Sequence, residues 1–181
     1  MTASLAAVDA LAAEAHAGQV DKIDVPYIEH VRAVAAGLAP FGDDLVMAGL
    51  LHDIIEDTNW TAEQLRGVGI PAHVVALVEA VTNERGVPYE EKVARITGQG
   101  RDAVLLKIAD NAHNSRPDRA AQLSEDQRVR LAAKYRAARD VLWPAVEDSD
   151  IETIVTIVNP ALLDELRERK AIIQQRPWSS T

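Results

Sequence analysis

The chain has 181 residues, 48% of them hydrophobic, and no cysteine, with 19 Lys and Arg against 28 Asp and Glu for a net charge of −9. That length suits one domain able to bury a core unaided, the lack of cysteine excludes disulfide frameworks, thiolate metal sites and thiol nucleophiles, and the negative balance disfavours a nucleic-acid backbone as partner. No stretch is long and apolar enough to span a bilayer, and Met1–Ala13 lacks the basic start of a signal peptide, so a cytoplasmic protein is expected.

Alanine and leucine richness, with few alternating segments, predicts an all-α fold divided by Gly and Pro into helix-sized pieces. A first helix runs from about Ala3 to His16 and ends at Gly18; a second begins near Pro26 and ends before Pro40. Asp43 or Asp44 caps the third, which runs on through His52-Asp53. Thr61-Ala-Glu-Gln64 has the form of a capping box opening a short helix that stops at Gly67 and Gly69, and Pro71 starts another. Pro88 opens a helix over Tyr89–Thr97, Gly98-Gln99-Gly100 breaks it, and Arg101–Asn114 follows as an apolar, buried helix closed off by Pro117. Ser124-Glu-Asp-Gln127 is a second box, beginning a helix to about Leu142 before Pro144, and Trp143 reads as core. The last helices cover roughly Ser149–Val158 and Pro160–Gln174, with a frayed tail over 176–181. No repeat or linker divides the chain, so 1–181 reads as a single domain.

The informative segment is Ala48-Gly-Leu-Leu-His-Asp-Ile-Ile-Glu-Asp-Thr58. On a continuous helix His52, Asp53, Glu56 and Asp57 share an arc of roughly 140°, with Met47, Leu51, Ile54 and Ile55 opposite. Three carboxylates so close repel one another unless a cation or hydrogen bonds neutralise them, so the segment calls for a metal. Gly49, one turn earlier, either leaves room for substrate or permits close helix packing. Pro26-Tyr-Ile-Glu-His30 supplies another imidazole, and Lys107, Asp110 and Asn114 share one face of an otherwise apolar helix, where a buried aspartate needs a partner. Taken singly, His30 reads as a surface or satisfied histidine, Asp110 as an ion pair with Lys107, and Glu56-Asp57 as a solvated helix end. Their conjunction on three predicted helices is far more specific.

These segments, with Ala15-His-Ala-Gly-Gln19 and Val81-Thr82, resemble the HD superfamily of metal-dependent phosphohydrolases, in particular the hydrolase domain of RelA/SpoT-type alarmone enzymes. The resemblance spans about residues 12–115 and implies an HD-type helical bundle around a central metal site. It implies that His30, His52, Asp53 and Asp110 bind one divalent ion, manganese by preference, with iron, nickel or zinc compatible with the same nitrogen and oxygen donors. It implies that Glu56 and Asp57 are the catalytic acidic pair and that Lys22 and Asn114 are on the substrate side. The leading activity is removal of pyrophosphate from the 3′ position of a (p)ppGpp-like nucleotide. The alternatives are phosphatase action on a nucleoside monophosphate or on the ribose phosphate of NADP(H), and a non-catalytic metal- or nucleotide-sensing module. The length leaves no room for a synthetase domain, so a stand-alone hydrolase, with homo-oligomerisation left open, is expected.

The run Val20-Asp-Lys-Ile-Asp-Val25 departs from the family's Arg-Lys-Ser-Gly, and only Lys22 matches. Where alarmone hydrolases carry a base-stacking arginine before the matched lysine, this chain has Asp21, which removes a planar cation and puts a negative charge near an anionic substrate. His16 and His113 read as structural, and His73 falls in an unmatched helix and is assigned nothing. Lys134, Arg136 and Arg139 lie on one helix and either line the phosphate side of a cleft or form a solvated face.

Overall fold

The breakers do divide the chain into helices. The computed structural model describes residues 3–83 and 86–174; the expected frayed tail lies outside them. The α-helices are α1 (Leu5–Ala15), α2 (Tyr27–Leu38), α3 (Asp43–Leu51), α4 (Ile54–Asp57), α5 (Ala62–Gly67), α6 (Ala72–Val81), α7 (Tyr89–Thr97), α8 (Arg101–Asn114), α9 (Pro117–Ala120), α10 (Glu125–Leu142), α11 (Asp148–Val158) and α12 (Leu162–Gln174). Among the described residues the one strand-like pairing is an isolated antiparallel bridge between Val20 and Pro26. The fold is all-α, as expected, and no helix among the described residues is long and apolar enough to cross a membrane.

Local chemistry sets most boundaries. Both capping boxes form: the Thr61 and Ser124 side chains accept from the backbone amides of Gln64 and Gln127, whose own side chains reach back. The third helix is capped differently from expectation. Its N-cap is Gly42, at φ 105°, and Asp43 and Asp44 occupy the first turn without a capping bond, where their charge favours the helix dipole. The chain reverses there after a 3₁₀ turn over Ala39–Phe41, a geometry that an aspartate N-cap would not adopt cheaply. Pro117 does more than close α8. It takes the first turn of α9, where its missing amide hydrogen costs nothing.

The centre of the molecule is α8, in which every residue from Ala103 to His113 is buried. Helices α2, α3, α6, α7, α10 and α11 pack around it. Wedged among α3, α8 and α11, α2 sits unusually close to its neighbours. A Cβ at Gly49 would fall 2.7 Å from the Ala35 Cα, and one at Gly37 would fall 2.3 Å from the Val158 Cγ2. Of the two readings of Gly49, close packing is the one observed. The result is a rigid frame that delivers His30 from α2, His52 from the end of α3 and Asp110 from α8 to one place.

Candidate active site

The His52-Asp53 doublet does not ride on a continuous helix. α3 ends at Leu51, Asp53 adopts φ −104° and ψ 0°, and α4 starts afresh at Ile54. His52 Nδ1 donates to the Gly49 carbonyl at 2.8 Å, occupying an acceptor that would otherwise serve the next turn. The break lets His52 turn inward, only 2% exposed, while Glu56 and Asp57 remain at the rim. The bond also fixes the tautomer, because a proton on Nδ1 leaves Nε2 with a free lone pair.

That lone pair is the central observation. His52 Nε2 is buried without a hydrogen-bond partner, although Asp53 Oδ2 lies 3.0 Å away. His30 Nε2 is 3.5 Å from the same Asp53 oxygen and 3.4 Å from Asp110 Oδ1, which is itself 3.9 Å from His52 Nε2. His30, His52 and Asp53 offer ligand atoms all within 4.8 Å of one another, a group able to hold a metal ion, with Asp110 Oδ1 at its border. An orphaned imidazole nitrogen converging with a second imidazole and two carboxylates fits a divalent cation.

The surrounding contacts orient those donors. Tyr27 donates its hydroxyl to Asp53 Oδ2 at 2.7 Å. Lys107 pairs with Asp110 Oδ2 at 2.8 Å, and Asn114 Nδ2 donates to Asp110 Oδ1. Burial opposes the charge of Lys107, but Asp110 outweighs it and holds the ammonium protonated above its usual range. His30 and His113 share a 2.7 Å contact between their Nδ1 atoms. Burial, then the charge of His30, push His113 down to about 3. Burial also works against a charged His30, yet Asp110 and Asp53 raise it to about 9. Across that contact one Nδ1 donates and the other accepts; with His30 Nε2 facing Asp53 and Asp110, a neutral His113 fits the accepting role. His113 thus orients a donor, as a structural residue would. His16, also buried, donates from Nδ1 to Gln19 Oε1 at 2.7 Å, and Gln19 Nε2 donates to the Asp57 carbonyl at 2.8 Å. His73 pairs with Asp44 on the surface.

Glu56 and Asp57 face the same opening without touching each other's partners. The amide of Asn83 and its Nδ2 both donate to Glu56, at distances of 2.7 to 3.0 Å. Burial raises both carboxyls above their ordinary values, and the charge of Asp53 adds to each shift, against hydrogen bonds from Asn83 to Glu56 and the nearness of Tyr27, His16 and His52 to Asp57.

These groups form the floor of a cleft of about 870 Å³, room for a nucleotide. Lys22 and Asn114 line it, and Asn114 spends its amide on Asp110. Of Lys134, Arg136 and Arg139 on α10 only Lys134 reaches the cleft, standing 4.0 Å over the Tyr89 ring. Arg136 is exposed elsewhere, and Arg139 is buried against Glu165 at 2.7 Å. The expectation for Asp21 needs correction as well. Its carboxylate is not a bare charge facing the substrate, because Arg119 on α9 meets it at 2.6 Å. Arg119, Asn83, Tyr89 and Lys92, which also line the cleft, had no signature in the sequence. Arg119 lies 98 residues from Asp21, and only Asn83 adjoined a noticed motif, Val81-Thr82.

A family model described as "HD domain" matches residues 9–158. A guanosine-3′,5′-bis(diphosphate) 3′-pyrophosphohydrolase of Haemophilus influenzae is 37% identical over 134 residues, covering 67% of this chain and 19% of that protein. A Danio rerio protein of the same description is 36% identical over 115 residues, 58% of this chain and 63% of its own length. A probable GTP pyrophosphokinase of Mycobacterium leprae is 39% identical over 173 residues, 82% of this chain and 22% of that one. The chain therefore spans about a fifth of the length of these bacterial relatives. A solved structure of a metazoan ortholog of SpoT superposes with a TM-score of 0.70 over 86% of this chain and 96% of that one, at 23% identity, a likeness of fold.

Proposed function

The chain belongs to the HD domain family, and on that premise we propose that it is a metal-dependent phosphohydrolase that removes pyrophosphate from the 3′ position of a (p)ppGpp-like guanosine nucleotide. The observation that carries this reading is the buried, unpartnered His52 Nε2, converging with His30, Asp53 and Asp110 on a floor that Glu56 and Asp57 border. The descriptions of the relatives supply the substrate class.

His30, His52, Asp53 and Asp110 would hold the ion, and we assign manganese, which suits two imidazoles and two carboxylates. When bound, a divalent ion supplies Lewis-acid polarisation of a phosphoryl oxygen and makes water more acidic. Glu56, held by Asn83, takes the proton of the attacking water as its oxygen bonds to phosphorus. The bond from phosphorus to the ribose 3′ oxygen breaks, and Asp57 returns a proton to that oxygen. A carboxyl raised by burial is the better suited to carry one. Lys22 and Lys134 balance the remaining phosphate charge, while Asn114 keeps Asp110 turned toward the ion and meets the substrate beside it. The setting that goes with this substrate is the cytoplasm.

Purified protein incubated with manganese and a nucleotide panel, with products separated by anion exchange and Asp53→Ala as control, tests the reading. Pyrophosphate released from a guanosine 3′,5′-bis(diphosphate), absent in the variant, is the expected result. Orthophosphate from a nucleoside monophosphate or NADP(H) would instead identify a different phosphatase. Nucleotide binding without turnover would identify a sensor.

A further inference from the structure

The cleft has three kinds of wall, and a nucleotide has three kinds of part. One wall is the metal floor with its carboxylates. Another is a group of ammonium ions, Lys22, Lys92 and Lys134, none paired with a carboxylate among the described residues. Lys134 is pushed below the usual lysine range, first by burial and then by Lys22, Lys107 and Lys92, so these charges lie near one another. The third wall is Arg119, whose charge is already balanced by Asp21.

We infer that the Asp21–Arg119 pair is the nucleobase wall of this cleft, with the guanidinium plane of Arg119 carrying the base and Asp21 acting as a positioning residue that does not itself touch substrate. The inference rests on the nucleotide phosphohydrolase reading of the site and names the part of the substrate that this wall takes.

Its geometry is built in advance. Asp21 Oδ1 accepts the amides of Ile23 and Val25 at 2.9 and 3.1 Å, and Oδ2 accepts Arg119 Nη1 at 2.6 Å. The two side chains are only 5% and 13% exposed. Burial opposes the Asp21 charge, but the two amides and Arg119 outweigh it and keep the carboxyl below its ordinary range. Among the described residues Asp21 is the one side-chain partner recorded for Arg119, which anchors one edge of a guanidinium that lines the cleft.

Charge decides what that guanidinium prefers. A neutralised guanidinium has little left to offer a phosphate, which is better served by the unpaired lysines. A planar, weakly hydrated group keeps its affinity for an aromatic ring. The same bonds that fix Asp21 shape the turn carrying Lys22, so one anchor sets the base wall and an adjoining phosphate contact together.

The test is calorimetric titration of the manganese-loaded protein with guanosine 5′-diphosphate and with inorganic pyrophosphate, beside steady-state kinetics on guanosine 3′,5′-bis(diphosphate). Arg119→Ala is expected to weaken guanosine diphosphate about 10-fold or more, the scale of one lost base stack, and to leave pyrophosphate within about twofold. KM rises accordingly and kcat stays within about threefold. Arg119→Lys does not rescue, because an ammonium has no plane. Since Arg119→Ala strands a buried carboxylate, the double variant Asp21→Asn/Arg119→Ala is measured alongside and is expected to behave alike. Equal weakening of both ligands would make Arg119 a phosphate contact and overturn the inference. So would no change in either, or wild-type protein binding guanosine diphosphate no tighter than pyrophosphate. Base-selective binding without hydrolysis of the 3′-diphosphate would sink the proposed activity and leave this inference standing.

Discussion

Two buried polar clusters sit on α8, one residue apart, and they are opposites. Around Asn111 the network is closed: Arg139 donates to Glu165, to Asn111 Oδ1 and to the Ser115 hydroxyl, while Asn111 Nδ2 donates to the Tyr135 carbonyl. Around Asp110 the donor atoms of His30, His52 and Asp53 crowd together, and His52 Nε2 goes unpartnered. Both are deep in the protein, so burial alone does not mark a functional site. What differs is closure: satisfied charges hold a fold together, and unsatisfied ones aimed at a common point await a ligand.

Breaking each cluster should therefore fail in a different way. Asp53→Ala removes a donor from the open cluster; we expect turnover to fall by about 10⁴-fold or more, above 5 kcal/mol of barrier, with manganese content lost in elemental analysis. Chelation of the wild type should do the same, reversed by manganese. Next in size, Arg139→Ala opens the closed cluster, leaving Glu165 only Arg169 at 3.7 Å, and should cost about 3 kcal/mol in urea unfolding, with kcat kept once folded. A stable but inactive Arg139 variant would erase the distinction. His113→Ala, which frees His30 without touching the donors, should weaken manganese by about 10- to 100-fold in competition titrations.

The smallest effect concerns Asp21, an acid whose folded pKa lies below its unfolded value. Such a group stabilises the fold above the unfolded value of about 3.9 and loses that contribution as pH falls through the folded one. Asp21→Asn should thus be less stable than wild type by about 1–2 kcal/mol at neutral pH. The gap should narrow in melting curves below about pH 4. A gap that widened in acid would mean that Asp21 is not held ionised by Arg119.

Much of this was legible before any coordinates. Gly and Pro end helices by backbone chemistry, and capping boxes act over three residues, so most helix bounds could be read locally. That His30, His52, Asp53 and Asp110 belong together came from their conjunction and the family resemblance, since singly His30 and Asp110 have ordinary structural readings. The break at the doublet could not be read, since it depends on where one imidazole nitrogen finds a carbonyl. Nor could Arg119, which Asp21 meets only after the chain has folded, or the Asn83 bond to Glu56 across 27 residues. Lys134 and Arg136 were separable in principle. Arg136 is turned about 200° from Lys134 on an ideal helix, and periodicity would have set it apart.

The Asn83 bond has a consequence for engineering. On the proposed reading, the carboxylate that activates water is aimed from just beyond the end of α6, by a residue that contributes nothing to the metal donors. A library confined to Asn83 and the α6–α7 connection would tune turnover while leaving metal loading alone.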